Sequence, residues 1–421
     1  MGGNSSSHAE KRTEPQNGTR LQRRNTACIN GNVWLDKRWT NVPALEEFEI
    51  LRKLGEGGFG EVFLAKHNVD KQLFAIKALN KKHVVAHGQG MSVIIESEVM
   101  VAMSYPFVLR MHGAFQDEKY FYIQLEYASG GDLFQHVVRM IGFPEEWSCI
   151  YLAEVALALD HVHQHGFLYR DLKLENVLVM NDGHIKLGDF GLAAKVWKPH
   201  LEQVGTPSHM APEVLKGESY DSTVDWWAAG IVFVEMVLGD SPFPKLGRDM
   251  GLEELIAYFE SGMHLQVLQA SLLKTTSANA RTLVESLLRP SPRQRLCSLS
   301  SLQQHPLYTN FDFPALIELR IPGPLAPRVQ LQLHRSSDSA DDTGSHNDSR
   351  SQRRMSRRSR ATSNREMSSA SLSSEESDKY NSVSSQKVHH VEVLFSQLAN
   401  FRTTIVQKAG KGVRSMAELE V

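Results

Sequence analysis

Cysteine is scarce. Cys28, Cys149 and Cys297 are the three in 421 residues, and they stand far apart. That spacing excludes a disulfide scaffold and the paired-cysteine pattern of a structural zinc site, and it suits a reducing, intracellular compartment. Net charge is also lacking. The chain sets 46 Lys and Arg against 48 Asp and Glu, which excludes a globally basic nucleic-acid binder and an acidic tail protein. No uncharged apolar run reaches the roughly 18–20 residues of a membrane-spanning helix. The longest candidate, Trp226 to Gly239, is too short and carries Glu235, so it reads as a buried core helix. The length allows two or three domains of about 100–200 residues, or one large domain with tails.

What is present is distributed unevenly. Residues 1–47 read as a basic, mostly disordered N-terminal arm, with Lys11, Arg12, Arg20, Arg23 and Arg24 as its basic stretch. From Phe48 to Tyr308 hydrophobic patterning is dense and most of the aromatics are found. Residues 331–388 are rich in Ser and nearly empty of large apolar side chains, a composition expected to be disordered because it cannot offset its ordering entropy. In 389–421, Val391, Leu394, Leu398, Phe401 and Ile405 recur at a 3–4 spacing and predict one apolar stripe on a helix.

Within the dense region Phe48–Leu54, Glu61–Lys66 and Leu73–Leu79 read as short strands, and Ser92–Met103 as a helix. Glu145–His165, Thr223–Leu238 and Asn279–Leu288 have helical period and length. The expectation is an α+β domain in two lobes, a small β-rich one followed by a larger helical one.

Gly55-Glu56-Gly57-Gly58-Phe59-Gly60-Glu61-Val62 matches G-x-G-x-x-G-x-V. Glycines let a backbone approach phosphates without Cβ clashes and offer amide donors. A dinucleotide-binding fold uses the same three glycines, but there the loop opens a helix. Here Glu61-Val62-Phe63-Leu64-Ala65 alternates like a strand, which predicts a glycine-tipped hairpin over a nucleotide. Phe74-Ala75-Ile76-Lys77 follows. A lysine inside an apolar strand is costly without a charge partner, and Glu96, nineteen residues on, is the expected one, with phosphates as the second.

Tyr169-Arg170-Asp171-Leu172-Lys173-Leu174-Glu175-Asn176 places a carboxylate, a lysine and an amide close together, and Asp189-Phe190-Gly191 follows thirteen residues later. Mg2+ takes oxygen ligands and keeps several waters, so Asn176 and Asp189 with phosphates would suffice as its ligands. Asp171 is then free to orient an acceptor hydroxyl and take its proton, and Lys173 to neutralise the transferred phosphoryl group.

With Ala211-Pro212-Glu213 downstream, residues 48–308 resemble a eukaryotic protein kinase domain. Tyr169 at the start of the Arg-Asp motif, Gly205-Thr206-Pro207, Val224-Asp225-Trp226-Trp227, and Phe311-Asp312-Phe313 with Ile321-Pro322-Gly323-Pro324-Leu325-Ala326-Pro327 resemble the AGC group. The last two stretches resemble the tail that this group wraps around both lobes, here expected at 309–330. The resemblance implies a serine/threonine kinase that uses ATP and Mg2+ on protein substrates. It implies Gly55, Glu56, Gly57, Gly58, Phe59, Gly60, Val62, Ala75, Lys77, Glu126, Ala128 and Asp132 around the nucleotide, with Glu126-Tyr127-Ala128 as the hinge and Leu125 at the back of the pocket. Asp171, Lys173, Lys77 and Glu96 would be catalytic, and Asn176 and Asp189 would hold the metal. Met100, Met111, Tyr169 and Phe190 would stack as a spine, Glu213 would pair with Arg295, and Asp225 would brace the catalytic loop.

The same resemblance implies a preference for arginine upstream of the target, bound by Glu175 and Glu235, although Ser208-His209 stands where relatives have Glu-Tyr. Glu202 occupies the position of the usual phosphorylated Thr and would pair with Arg170. A chain without turnover would be expected to lack Lys77, Asp171 or Asp189, and all three are present. The alternative is a kinase-fold scaffold that binds nucleotide with little turnover.

Met1-Gly2-Gly3-Asn4-Ser5-Ser6 fits the N-myristoylation pattern. One acyl chain anchors only marginally, and the basic arm would supply the second signal on an anionic leaflet. The expectation is a cytoplasmic protein with membrane association through Gly2, against an ordinary disordered N-terminus. Arg23-Arg24-Asn25-Thr26, Arg353-Arg354-Met355-Ser356 and Arg357-Arg358-Ser359 resemble basophilic phosphosites, against a solvated charged tail. For the C-terminal stripe, docking on the small lobe and binding a partner remain equal readings.

Overall fold

The computed structural model describes residues 44–329, apart from 58–59, 242, 244–248 and 327. Gly58, Phe59, most of the N-terminal arm, the Ser-rich segment and the C-terminal stripe therefore lie outside the described residues.

Phe48–Gly57 (β1), Gly60–His67 (β2), Leu73–Asn80 (β3), Met111–Gln116 (β4) and Tyr120–Glu126 (β5) form an antiparallel sheet in the order β1-β2-β3-β5-β4. β1 and β2 each run to the glycine loop, so Gly57 pairs with Gly60 and the expected hairpin is present. β3 is buried along nearly its whole length because its two faces meet different partners. Phe74, Ile76 and Ala78 pack with Phe48, Phe115 and Tyr122 on one side. Ala75 and Leu79 join the main core on the other. The period-2 alternation thus points Lys77 toward that core and toward helix Gly90–Ala102 (α2), which follows the short helix Lys81–Ala86 (α1). Asn80 caps α1, its side-chain oxygen accepting from the amides of Lys82 and His83.

The larger lobe begins at Gly131–Asp132 (β6) and Leu133–Met140 (α3). Glu145–Gln164 (α4) and Thr223–Leu238 (α6) are its central pair, with Pro212–Leu215 (α5) between them in sequence. α6 is buried on every side from Val224 to Val237, as expected of a helix apolar all round. Each of its large apolar side chains stabilises the fold by about 1.5–3 kcal/mol. Short strands Phe167–Leu168 (β7), Val177–Val179 (β8), Ile185–Leu187 (β9) and Ala194–Lys195 (β10) line the side that carries the catalytic-loop sequence. Among the described residues no helix is long and apolar enough to cross a membrane.

The expected α+β, two-lobed architecture stands. The beginning of the expected tail packs on the larger lobe. Asp312 caps Phe313–Ile317, and Leu325 and Val329 are fully buried. The Tyr151 hydroxyl donates to the Gly183 carbonyl at 2.9 Å and accepts from the Leu325 amide at 3.0 Å. The chains approach so closely that a Cβ at Gly183, where φ is +80°, would meet Ala326 N at 2.0 Å.

Candidate active site

Cross-strand register assembles one wall. Val62 lies opposite Lys77, and Lys77 opposite Ile123. Leu64 lies opposite Ala75, and Ala75 opposite Leu125. Directly opposed residues share a face, so Val62, Ala75 and Lys77 line one surface beneath the loop that carries Gly55, Glu56, Gly57 and Gly60. Leu125 ends this wall, 8% exposed and also opposite Met111.

Lys77 Nζ donates to Glu96 Oε1 at 2.6 Å and to Asp189 Oδ1 at 3.1 Å. Burial works against the lysine's charge, and the Glu96 and Asp189 carboxylates overcome it and hold Lys77 above its ordinary value. The same ammonium holds the Asp189 carboxyl below the usual carboxylate range. Asp189 sits at φ +48° and Arg170 at φ +68°, left-handed conformations that non-glycine residues adopt at a cost. Such outliers concentrate where side chains are held for function.

A second cluster surrounds Asp171. Lys173 Nζ donates to Asp171 Oδ2 at 2.8 Å, and Asn176 Nδ2 to the same oxygen at 2.9 Å and to the Asp171 carbonyl at 2.8 Å. The Thr206 hydroxyl donates to Asp171 Oδ1 at 2.8 Å and accepts from Lys173 Nζ at 3.0 Å. In the sequence Thr206 stands out only as part of a Gly-Thr-Pro signature. Its hydroxyl arrives from 35 residues downstream, and spacing alone does not announce that. Gly205 permits the approach, since a Cβ there would lie 2.6 Å from the Arg170 carbonyl.

The bracing of this loop follows expectation. Asp225 Oδ2 accepts the Tyr169 amide at 2.9 Å and Oδ1 the Arg170 amide at 2.8 Å, while His163 Nε2 lies 2.7 Å from Oδ2. Tyr169 and Phe190 are fully buried and meet edge to face at 5.2 Å, and the Tyr169 hydroxyl donates to the Gly188 carbonyl. Met100 and Met111 are buried in the same core. Arg295 and Glu213 form a bidentate pair at 2.6 and 2.9 Å.

Other expected residues carry additional duties. Glu126 accepts from Lys186 Nζ at 2.7 Å, tying the end of β5 to β9, and Ala128 is half-buried just beyond β5. Asp132 caps α3, with Oδ1 accepting the Gln135 amide at 2.9 Å. Glu175 is exposed. Glu235, the other residue expected to bind an upstream arginine, is 9% exposed and lies 3.1 Å from His209 Nε2. The His209 imidazole reaches the carboxylate from a segment 26 residues upstream.

The donor set suits a magnesium ion. Asn176 turns its NH2 toward Asp171, which leaves its oxygen as the ligand end, and the Asp189 carboxylate is held ionised and 44% exposed. Among the described residues no cluster of three or more His, Cys, Asp or Glu could hold a metal. Mg2+ needs none, because it retains waters and takes phosphate oxygens.

Residues 48–308 match the family model described as "Protein kinase domain". The chain is 34% identical over 293 residues to the RAC family serine/threonine-protein kinase homolog of Dictyostelium discoideum, covering 68% of this chain and 63% of that protein. It is 33% identical over 295 residues to the cAMP-dependent protein kinase catalytic subunit of the same organism, covering 68% and 44%. To Protein kinase C-like 1 of Candida albicans it is 35% identical over 298 residues, covering 68% and 26%. The aligned part therefore spans less than two-thirds of the length of each of these relatives.

Proposed function

The chain belongs to the protein kinase family, in its AGC group, and from that premise we propose that it transfers the γ-phosphoryl group of ATP to Ser and Thr hydroxyls of protein substrates. The observation that carries this reading is the buried Lys77–Glu96 pair reaching Asp189, set beside an Asp171 held from three sides.

In this reading Lys77, fixed by Glu96, orients the nucleotide phosphates beneath the glycine loop. Glu126 and Ala128 take the adenine through their backbone and Asp132 approaches the ribose. Asp189 and Asn176 would hold Mg2+, which when bound would neutralise phosphate charge. Asp171 Oδ1 and Oδ2 accept from Thr206, Lys173 and Asn176, so the carboxylate is fixed in place to orient the acceptor hydroxyl and take its proton. Lys173 supplies a positive charge beside the developing negative charge on the phosphoryl oxygens. Little covalent chemistry is asked of the protein, and position is what the hydrogen bonds provide.

Glu175, exposed and next to Asn176, is the open carboxylate for an arginine upstream of the target, while Glu235 would contribute through its pair with His209. Transfer of labelled phosphate to an Arg-containing Ser/Thr peptide, abolished by Asp189→Asn, is the test. Nucleotide binding without transfer would instead support the scaffold reading.

We also propose that Gly2 is myristoylated and that the basic arm holds the protein on anionic membranes from the cytoplasmic side. The support is the Met1–Ser6 pattern with Lys11 to Arg24 behind it. Gly2→Ala would then move the protein from the membrane fraction to the soluble one, and an unchanged distribution would refute the proposal.

A further inference from the structure

Helix α2 presents two carboxylates in two directions. Glu96 reaches Lys77 Nζ at 2.6 Å. Glu98, two residues on, reaches Lys195 Nζ at 2.8 Å on β10. Lys77 also contacts Asp189 Oδ1 at 3.1 Å, and Asp189 lies six residues before Lys195 in the chain. These contacts close a ring. It runs from Glu96 through Lys77 to Asp189, along the backbone to Lys195, and back through Glu98 into α2.

We propose that the Glu98–Lys195 ion pair is a positioning contact that keeps α2, and with it Glu96, docked against Lys77. The proposal rests on the phosphoryl-transfer reading of this site and adds to it two residues that act through Glu96.

Three observations support it. First, α2 is weakly fixed at its ends: it starts at Gly90, its N-terminus receives no side-chain cap among the described residues, and its last turn carries no basic residue. Its placement therefore depends on side contacts, namely the buried Val93, Ile94, Val99 and Met100 and these two ion pairs. Second, β10 is paired with the strand that leads into the catalytic loop. Lys195 pairs with Phe167 on β7, and β7 runs directly into Tyr169-Arg170-Asp171. The lysine so ties α2 to the same frame that holds Asp171. Third, the pair is sheltered: the Lys195 and Glu98 side chains are 29% and 24% exposed. Screening is reduced there, while enough water remains to limit the desolvation cost. Lys195 Nζ also lies 5.3 Å from the centre of the Trp197 ring, which restricts where the ammonium can go.

The test uses the full chain with Glu98→Gln, Lys195→Ala, Lys195→Arg and the exchanged pair Glu98→Lys with Lys195→Glu. Steady-state transfer to a Ser/Thr peptide gives kcat and KM for ATP, and amide hydrogen exchange reports the opening of residues 92–101. Glu98→Gln and Lys195→Ala are expected to lower kcat/KM for ATP about fivefold to tenfold and to speed exchange in α2. Lys195→Arg and the exchanged pair are expected to recover most of both losses. Wild-type activity with unchanged exchange in the two single variants overturns the proposal, as does an exchanged pair no better than either single change. A wild-type chain that transfers no phosphate overturns the activity reading, and the exchange comparison then still decides whether Lys195 holds α2.

Discussion

Glu202 Oε2 stands 3.4 Å from Arg170 Nη1, so a carboxylate meets the guanidinium of the catalytic loop without any phosphate. The same nitrogen donates to the Tyr220 hydroxyl at 3.0 Å, and Tyr220 donates to the Glu202 carbonyl at 3.0 Å. Arg170 Nε donates to the Leu192 carbonyl at 2.7 Å, just beyond Asp189-Phe190-Gly191. Glu202's own backbone amide, then Arg170 and His200, hold its carboxyl below the ordinary range, so it is charged at neutral pH.

Kinase activity is accordingly expected to survive complete phosphatase treatment. Glu202→Ala should lower peptide phosphorylation about threefold to tenfold, a modest effect because the side chain is 59% exposed and has one charge to a phosphate's two. Undiminished activity of purified Glu202→Ala would dispose of the idea.

Thr206 offers a sharper contrast. Thr206→Val removes the hydroxyl between Asp171 and Lys173 while keeping the shape, and kcat is expected to fall about tenfold or more. Thr206→Ser should retain most of the rate. Steady-state assays that found Val and Ser variants equal would show that the hydroxyl has no part in holding Asp171.

The Glu213–Arg295 pair bears on stability. Their side chains are 4% and 0% exposed and doubly bonded, so Arg295→Ala leaves a carboxylate buried without its partner. The loss should be about 3–5 kcal/mol. Denaturant unfolding of the purified variant measures it, and a loss below about 1 kcal/mol would contradict the buried pairing.

Acid sensitivity has an identifiable contributor in His161, which stacks on Tyr105 at 4.3 Å. Burial, and then the neighbouring His165, push it down to about 4 from the usual 6.5. Between those values the unfolded chain binds a proton that the folded protein refuses. The contribution is therefore intact above about pH 6.5 and is lost as pH falls toward 4. His161→Phe keeps the stacked ring and removes the titration. Urea melts at several pH values should show a shallower loss of stability on acidification for the variant, and parallel curves would count against this origin.

Much of the site was legible because its chemistry is written in short words. The glycine loop, Phe74-Ala75-Ile76-Lys77, the Arg-Asp loop and Asp189-Phe190-Gly191 each name their residues within a few positions. Even the Lys77–Glu96 pair followed from the cost of a lone charge in an apolar strand. Illegible were contacts whose partners come from elsewhere and whose residue types are ordinary. Thr206, the Glu98–Lys195 pair and the His209–Glu235 pair are of this kind. A helix in sequence does not reveal which neighbour covers each of its turns, so the cover that His209 gives Glu235 is not legible there.

Strand and helix types, their order, the glycine-tipped hairpin and the roster of charged residues were settled by the chain's own pattern. Dihedral preference and hydrophobic period act over a few residues and are already present in the sequence. Packing decided the rest. It brought Lys77 to Asp189 across 112 positions and Asp225 to the amides of Tyr169 and Arg170 across 56 and 55. It also shut Glu235 behind His209 and set Lys195 against Glu98. Such contacts depend on where whole elements lie against one another, and that placement is a property of the assembled core.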